Sequence, residues 1–188
     1  MNIKETILTA GVTLLKDKGI AALTQPQVAK AAGIKQSHLT YYFPTRTDLL
    51  LGIAEFSISA MLATMASRLA GTTDAASLMA PLTEALLSGI PPRLILGLIV
   101  AADAEPDIRP HLRAFIKHVR GQIQEFLAHV DLAGRPEAAL LFHATIVGLA
   151  VMHQARMDAE STGEVKNGIA ALLRLLESNA TPIERRNA

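Results

Sequence analysis

The chain has 188 residues, half of them apolar and 19% charged, with a formal net charge of +1. That length buries a sizeable core in one domain or two small ones, and that balance excludes a disordered chain. The absence of cysteine removes disulfides, thiolate metal sites and a cysteine nucleophile.

Lys4, Glu5, Lys16, Asp17 and Lys18 interrupt any signal-peptide core near the N-terminus. The apolar run 94–102 is too short to span a bilayer, which takes about 20 residues. A cytoplasmic protein without a membrane partner is expected. Strand signals are scarce, and there is neither an internal repeat nor a low-complexity segment. The expected fold class is therefore all-α.

Ile3, Ile7, Ala10, Leu14 and Leu15 recur at helical spacing and predict a first helix over 3–18, stopped by Gly19. The stretch 24–49 then organises the chain. Thr24 is placed to cap a short helix, with Gln27 reaching back to the Thr24 N–H and Pro26 tolerated in the first turn. Ala29, Ala32 and Gly33 are small enough for two helices to cross closely, and Gly33 suits a left-handed helix end. Val28, Ile34 and Leu39 fill the wedge. A second short helix over 36–43 carries Leu39, Tyr42 and Phe43 inward and turns Gln36, Ser37, His38, Thr40 and Tyr41 outward. Thr45 and Asp48 cap a following helix. This is the helix-turn-helix pattern, whose second helix fits the major groove and whose polar face hydrogen-bonds base edges and phosphates. Residues 1–50 hold six Lys/Arg against three Asp/Glu, a balance of +3, and the remainder twelve against fourteen, a balance of −2. A basic end on a mildly acidic body suits phosphate contact at that end.

Residues 7–53 resemble the DNA-binding domain of the tetracycline-repressor (TetR) family of transcriptional regulators. The match is carried by Ala10, Leu14, Gly19, Leu23, Thr24, Val28, Ala29, Ala32, Gly33, Ile34, Leu39, Tyr42, Phe43, Arg46, Asp48 and Leu49. The resemblance implies a three-helix reading head, and it adds Thr24, Gln25, Lys35, Tyr42 and Arg46 to the expected DNA-contacting set. Three positions depart from the family pattern. Lys35 stands where a capping Ser or Thr is usual, Thr40 where Tyr is usual, and Arg46 where Lys is usual.

Beyond the head, periodicity predicts a fourth helix over 45–69 with Met61, Leu62, Met65 and Leu69 in line, then a loop over 71–74. A fifth helix follows over 75–88, broken by Gly89 and Pro91-Pro92. The sixth, over 93–102, is apolar nearly all round and so is expected to be buried. A seventh is expected over 105–130, an eighth over 134–158, and a ninth from 161–163 to 179, before a frayed polar tail. The division expected is 1–48 as head, 49–180 as a helical ligand-binding and dimerisation domain, and 181–188 as tail, with about nine helices in all.

The eighth helix carries two apolar faces, one of them Leu140, His143, Val147 and Val151, and the ninth carries a seam of Ile169, Leu172, Leu173 and Leu176. Two faces need two partners. The resemblance implies that these helices pair with their copies in a homodimer, with Leu140, His143, Val147, Val151, Leu172 and Leu176 at the interface. It also implies a small-molecule effector within the body, with Met61, Met65, Leu98, Phe115, His118 and Phe126 as lining, and a fourth helix that swings to spoil the spacing of two heads. The absence of a charge cluster points to an apolar or weakly polar effector. The six histidines have no acidic partner at ligand spacing, so no metal site and no cofactor is expected, and lone histidines read as polar groups satisfied in the core. There is no Gly-x-Ser-x-Gly, His-Glu-x-x-His, P-loop or dinucleotide fingerprint, which argues against an enzyme. The sequence therefore points to a repressor that binds a palindromic double-stranded DNA operator as a dimer and is released by its effector. The alternative is a helical ligand-binding or adaptor protein that retains the head without using it on DNA.

Overall fold

The computed structural model describes residues 2–68, 75–87, 90–104 and 106–178. Among these it forms nine α-helices joined by turns and short 3-10 segments, with no strand: α1 (Ile3–Lys18), α2 (Gln25–Ala31), α3 (Gln36–Tyr42), α4 (Arg46–Arg68), α5 (Met79–Leu87), α6 (Ile90–Ala104), α7 (Arg109–His129), α8 (Ala138–Arg156) and α9 (Ala159–Glu177). Two compact units result. One gathers residues 1–60 and 90–117, the other residues 61–89 and 118–188.

In the first unit α1 is capped by Asn2, whose side chain accepts from the Lys4 N–H at 2.9 Å. Gly19 ends it with φ +76, a conformation that favours glycine. Ile7, Leu15, Leu23, Val28, Leu39, Leu49, Leu50 and Ile53 are fully buried and make its core. Two close crossings shape that core. A side chain at Gly11 would collide with Ile53 of α4, and one at Gly52 would come within 2.6 Å of the Phe43 ring and 3.3 Å of Leu8. α4 thus lies against α1 and the end of α3 at backbone distance.

α6 also belongs to this unit and packs on α1 and the turn at 20–22. It begins three residues earlier than the sequence suggests. Pro91 and Pro92 do not separate it from the preceding helix; they occupy its first turn, where no intrahelical N–H is needed. Nor is it buried all round: Leu94 and Leu98 are fully buried, while Leu96, Ile99 and Val100 are exposed, Val100 by 69%.

In the second unit α8 and α9 form the main pair, with α5 against both. The α9 seam of Val165, Ile169, Leu172, Leu173 and Leu176 is buried, and a Cβ at Gly168 would meet Leu149 at 2.7 Å, so the two helices approach closely there. The α8–α9 boundary differs from expectation. α8 ends at Arg156, and Asp158 caps α9 instead of closing α8. Ser161 is not a linker residue: it completes a capping box with Asp158 inside the first turn of α9. The Ser161 N–H donation to that carboxyl, at 2.6 Å, is the main cause holding Asp158 below the ordinary carboxylate range. The Ser161 hydroxyl also lies 2.9 Å from His153 Nδ1, and both residues are buried. Arg156 bridges Asp158, Glu160 and Glu164 at 3.3, 2.9 and 2.8 Å.

The other helix ends shift by a few residues. Residues 75–78 and 106–108 are 3-10 turns ahead of α5 and α7. The expected loop at 71–74 and tail at 181–188 lie outside the described residues. By length and composition α4 over Arg46–Ser67 and α8 over Ala138–Arg156 could cross a membrane, although the run 94–102 could not. Both pass the same test as the core helices of soluble proteins, and in α4 Leu49, Leu50 and Ile53 are fully buried by the chain itself.

Met157, at φ +50, forces a side chain into the left-handed region beyond α8, its N–H donating to the His153 carbonyl at 2.7 Å. Replacing it by glycine removes a strain of about 1–2 kcal/mol and adds back about 0.5–1 kcal/mol of chain entropy. Met157→Gly should therefore stabilise the protein by about 0.5–1 kcal/mol, read as a higher urea midpoint at unchanged slope.

Candidate nucleic-acid interface

α2, the turn at 32–35 and α3 build the reading head. α2 ends in a Schellman arrangement: Gly33 adopts φ +67, its N–H donates to Lys30 O at 3.2 Å, and the Ile34 N–H donates to Ala29 O at 3.0 Å. Its start differs from expectation. Thr24 makes no side-chain cap, and its own N–H, which Gln27 was expected to reach, donates instead to Ala22 O at 2.9 Å. Gln25 supplies the tie instead. Its Nε2 donates to Phe43 O at 2.7 Å and Pro44 O at 3.0 Å, joining the first turn of α2 to the chain leaving α3.

Leu39 is fully buried and Phe43 nearly so, and they fix α3 to the core from one side. Tyr42 does not follow them inward; it is 36% exposed and meets Tyr41 edge-on at 5.2 Å between ring centroids. Lys35 caps nothing and is exposed, as are Gln36, Ser37 and His38. Tyr41 projects furthest, at 81% exposure. Thr40 is half-buried and donates its hydroxyl to Ser37 O at 3.2 Å. One continuous surface of amide, hydroxyl, imidazole and phenol groups results, able to donate and accept. Residues 24–48 hold three cations, Lys30, Lys35 and Arg46, against the single acid Asp48. Asp48 is engaged in the cap of α4: it accepts from Thr45 N at 2.9 Å, and Thr45 Oγ1 accepts from Asp48 N at 3.0 Å. Arg46 turns back on the head, its Nε donating to Leu23 O at 3.0 Å.

The other candidate residues scatter. Leu98 and Phe115 are buried in the first unit. In the second, Met65 and Phe126 are buried, Met61 is half-buried and His118 is exposed. Of the α8–α9 residues, Leu140 is 45% exposed and His143, Val147 and Val151 are half-buried, whereas Leu172 and Leu176 are consumed by the chain's own core. The histidines are mostly not core groups: His38, His111, His118 and His129 are exposed. No cluster of three potential metal ligands occurs among the described residues.

Sequence reasoning missed the Gln25 clamp and the sockets at Gly11 and Gly52. The glycines carried a signal. Glycine inside a helix costs about 1 kcal/mol relative to alanine, so its presence there calls for a packing reason.

Among the described residues the head is helical and presents this polar face over the buried Leu39. Residues 7–53 match the family profile described as bacterial regulatory proteins, tetR family. The HTH-type transcriptional regulator CymR of Pseudomonas putida is 25% identical over 184 residues, 93% of this chain and 90% of that protein. A putative transcriptional regulator from Rhodococcus sp. RHA1 superposes with a TM-score of 0.72 at 14% identity, covering 96% of this chain and 100% of that one. The multidrug binding protein EbrR, complexed with imidazole, superposes at 0.66 with 19% identity and 99% coverage of both chains. Residues 7–53 thus match the DNA-binding module of the tetR family, and the chain shares the fold of these solved proteins.

Two outcomes follow. Gly52→Val would drive methyl groups into Phe43 and should cost about 1–3 kcal/mol of stability by overpacking, measurable in urea. His143 on α8 is held below its ordinary value of 6.5, first by lost hydration and then by the Arg120 guanidinium. The unfolded chain therefore takes up this proton more readily than the folded one. The stability tied to a neutral His143 is present above pH 6.5 and is lost as pH falls through the lowered value. His143→Gln should flatten that part of the stability–pH curve.

Proposed function

We propose that this chain is an effector-responsive repressor that reads a palindromic operator as a homodimer. The observation that carries the proposal is the α3 surface: Gln36, Ser37, His38 and Tyr41 exposed together over a fully buried Leu39, with no unengaged acid between residues 24 and 48. A major groove presents donors, acceptors and thymine methyls, and these groups can read them. Lys30 and Lys35 add a sequence-independent attraction to phosphates. Thr24, Tyr42 and the remaining α3 residues border that surface. Gln25, Thr40 and Arg46 already hydrogen-bond within the head, so they serve DNA binding by holding its shape.

Dimerisation is supported by α8. This long apolar helix has only 22% of its length buried within the chain. Leu140 and Met152 are exposed, and a Cβ at Gly148 would meet nothing within 4 Å. A second copy placed there by a two-fold axis covers Leu140, Val147 and Val151 on both subunits at once. Two heads about 34 Å apart then meet successive major grooves, which explains the palindrome.

The effector is placed in the helical body and is small and apolar or weakly polar. Met65 and Phe126 offer adaptable and aromatic surface in the second unit, where Phe126 lies 6.3 Å from the Phe142 ring. The imidazole complex of EbrR supports a small aromatic ligand as a first probe.

The test is fluorescence anisotropy on duplexes enriched from a random pool, with a scrambled duplex as control. Preference for the enriched duplex at about 0.15 M salt, weakening as salt rises, is the expected result. Equal weak binding to both would favour an adaptor that does not use its head. Tyr41→Ala should weaken binding to the enriched duplex by about 1–3 kcal/mol while the dimer persists. Leu140→Arg should shift the chain toward monomer in sedimentation equilibrium, and an unchanged dimer would remove α8 from the interface.

A further inference from the structure

α6 carries one glycine within a run of large aliphatic residues: Leu94, Ile95, Leu96, Gly97, Leu98, Ile99 and Val100. A Cβ at Gly97 would stand 2.9 Å from Ile20 Cδ1 and 3.0 Å from Ile20 Cγ1. Ile20 therefore rests on the bare backbone of α6. It belongs to the turn at 20–22 that joins α1 to α2, and α6 packs on both that turn and α1.

The same turn is gripped from the start of α4. Arg46 Nε donates to Leu23 O at 3.0 Å, and its Nη2 reaches to 3.5 Å from Ile20 O. Leu23 itself is fully buried. Two residues on, Gln25 holds the carbonyls of Phe43 and Pro44. Residues 20–25 are thus tied at once to α6, to α4 and to the end of α3. The direction in which α2 leaves this turn sets where α3 stands.

We infer that the Ile20–Gly97 seat and the Arg46 tie form a positioning joint for the reading head. Gly97 then governs operator affinity without touching DNA, and Arg46 acts as a positioning residue, its guanidinium turned to the turn carbonyls and not committed to a phosphate. The inference rests on the DNA-binding reading above. It accounts for glycine at a helix position where any aliphatic neighbour would be the better helix former, and for the backbone contacts of a cation at the edge of the head.

The experiment uses the full chain, the duplex enriched from a random pool and its scrambled control, in anisotropy titrations across a salt series. Wild type must first prefer the enriched duplex; if it does not, the DNA-binding reading fails, and the joint is not what failed. Given that preference, Gly97→Ala should bind the enriched duplex about tenfold more weakly. Its binding to the scrambled duplex, its salt slope and its helical content should stay at wild-type values. A purely structural defect would instead lower both affinities and the thermal midpoint. Ile20→Ala in the Gly97→Ala background should recover most of the loss, because the shorter side chain vacates the seat. Arg46→Gln should also weaken specific binding while keeping the wild-type salt slope. The inference is overturned if Gly97→Ala binds as wild type does, if Ile20→Ala brings no recovery, or if Arg46→Gln lowers the slope by about one per head, the mark of a lost phosphate contact. Should Gly97→Ala fail to fold, the Arg46→Gln slope alone decides.

Discussion

Everything in the head depends on how closely α4 can approach α1 and α3. Gly11 lets Ile53 lie on the α1 backbone, and Gly52 lets the Phe43 ring lie on the α4 backbone. Close-packed interiors leave little room for added atoms, so a methyl group at either glycine would force Ile53 or the Phe43 ring to shift. With α4 seated, Leu39 is sealed beneath α3 and the polar residues of that helix are left outside. The contact surface is therefore a consequence of two bare stretches of helix backbone lying well behind it.

The polar ties fix what the apolar contacts leave free. Hydrophobic burial has no direction, and α2 and α3 have seven residues each, too short to hold themselves together in water. Direction comes from hydrogen bonds to backbone groups at the helix ends: Gln25 to the carbonyls of Phe43 and Pro44, Arg46 to the Leu23 carbonyl, and the side chains of Thr45 and Asp48 to each other's backbone N–H. The second unit uses the same device at the α8–α9 corner, where Asp158, Ser161 and His153 lock a sharp change of direction. In both places a short polar cluster sets an angle and a stripe of Leu, Ile and Val supplies the driving force.

Much of this was legible in the sequence. α1 matches the expected span at both ends because Asn2, the Ile/Leu spacing and Gly19 are local signals. The Schellman end at Gly33 and the cap at Thr45 and Asp48 likewise depend on residues within five positions of one another. Of the box expected of Thr24 and Gln27, the return bond from Gln27 is missing because a neighbouring turn had already taken the Thr24 N–H, and the Thr24 hydroxyl caps nothing. The boundary at 156–161 was misplaced for a similar reason. Ser, Thr and Gly suit a linker and a first helical turn equally well, and only the buried partner of Ser161 separates the two.

The sequence by itself determined the helical class, the helix-turn-helix and its outward polar face, because periodicity and capping act over a few residues. Only the tertiary structure decided which apolar faces are spent inside the chain. Leu172 and Leu176 looked available to a partner and are buried, whereas Leu96, Ile99 and Val100 looked buried and are exposed. It also decided that Arg46 faces carbonyls at 20 and 23, and that Gly97 receives Ile20. These pairings join residues 23 to 77 positions apart. No local pattern encodes them, since each depends on where other helices bring the chain back.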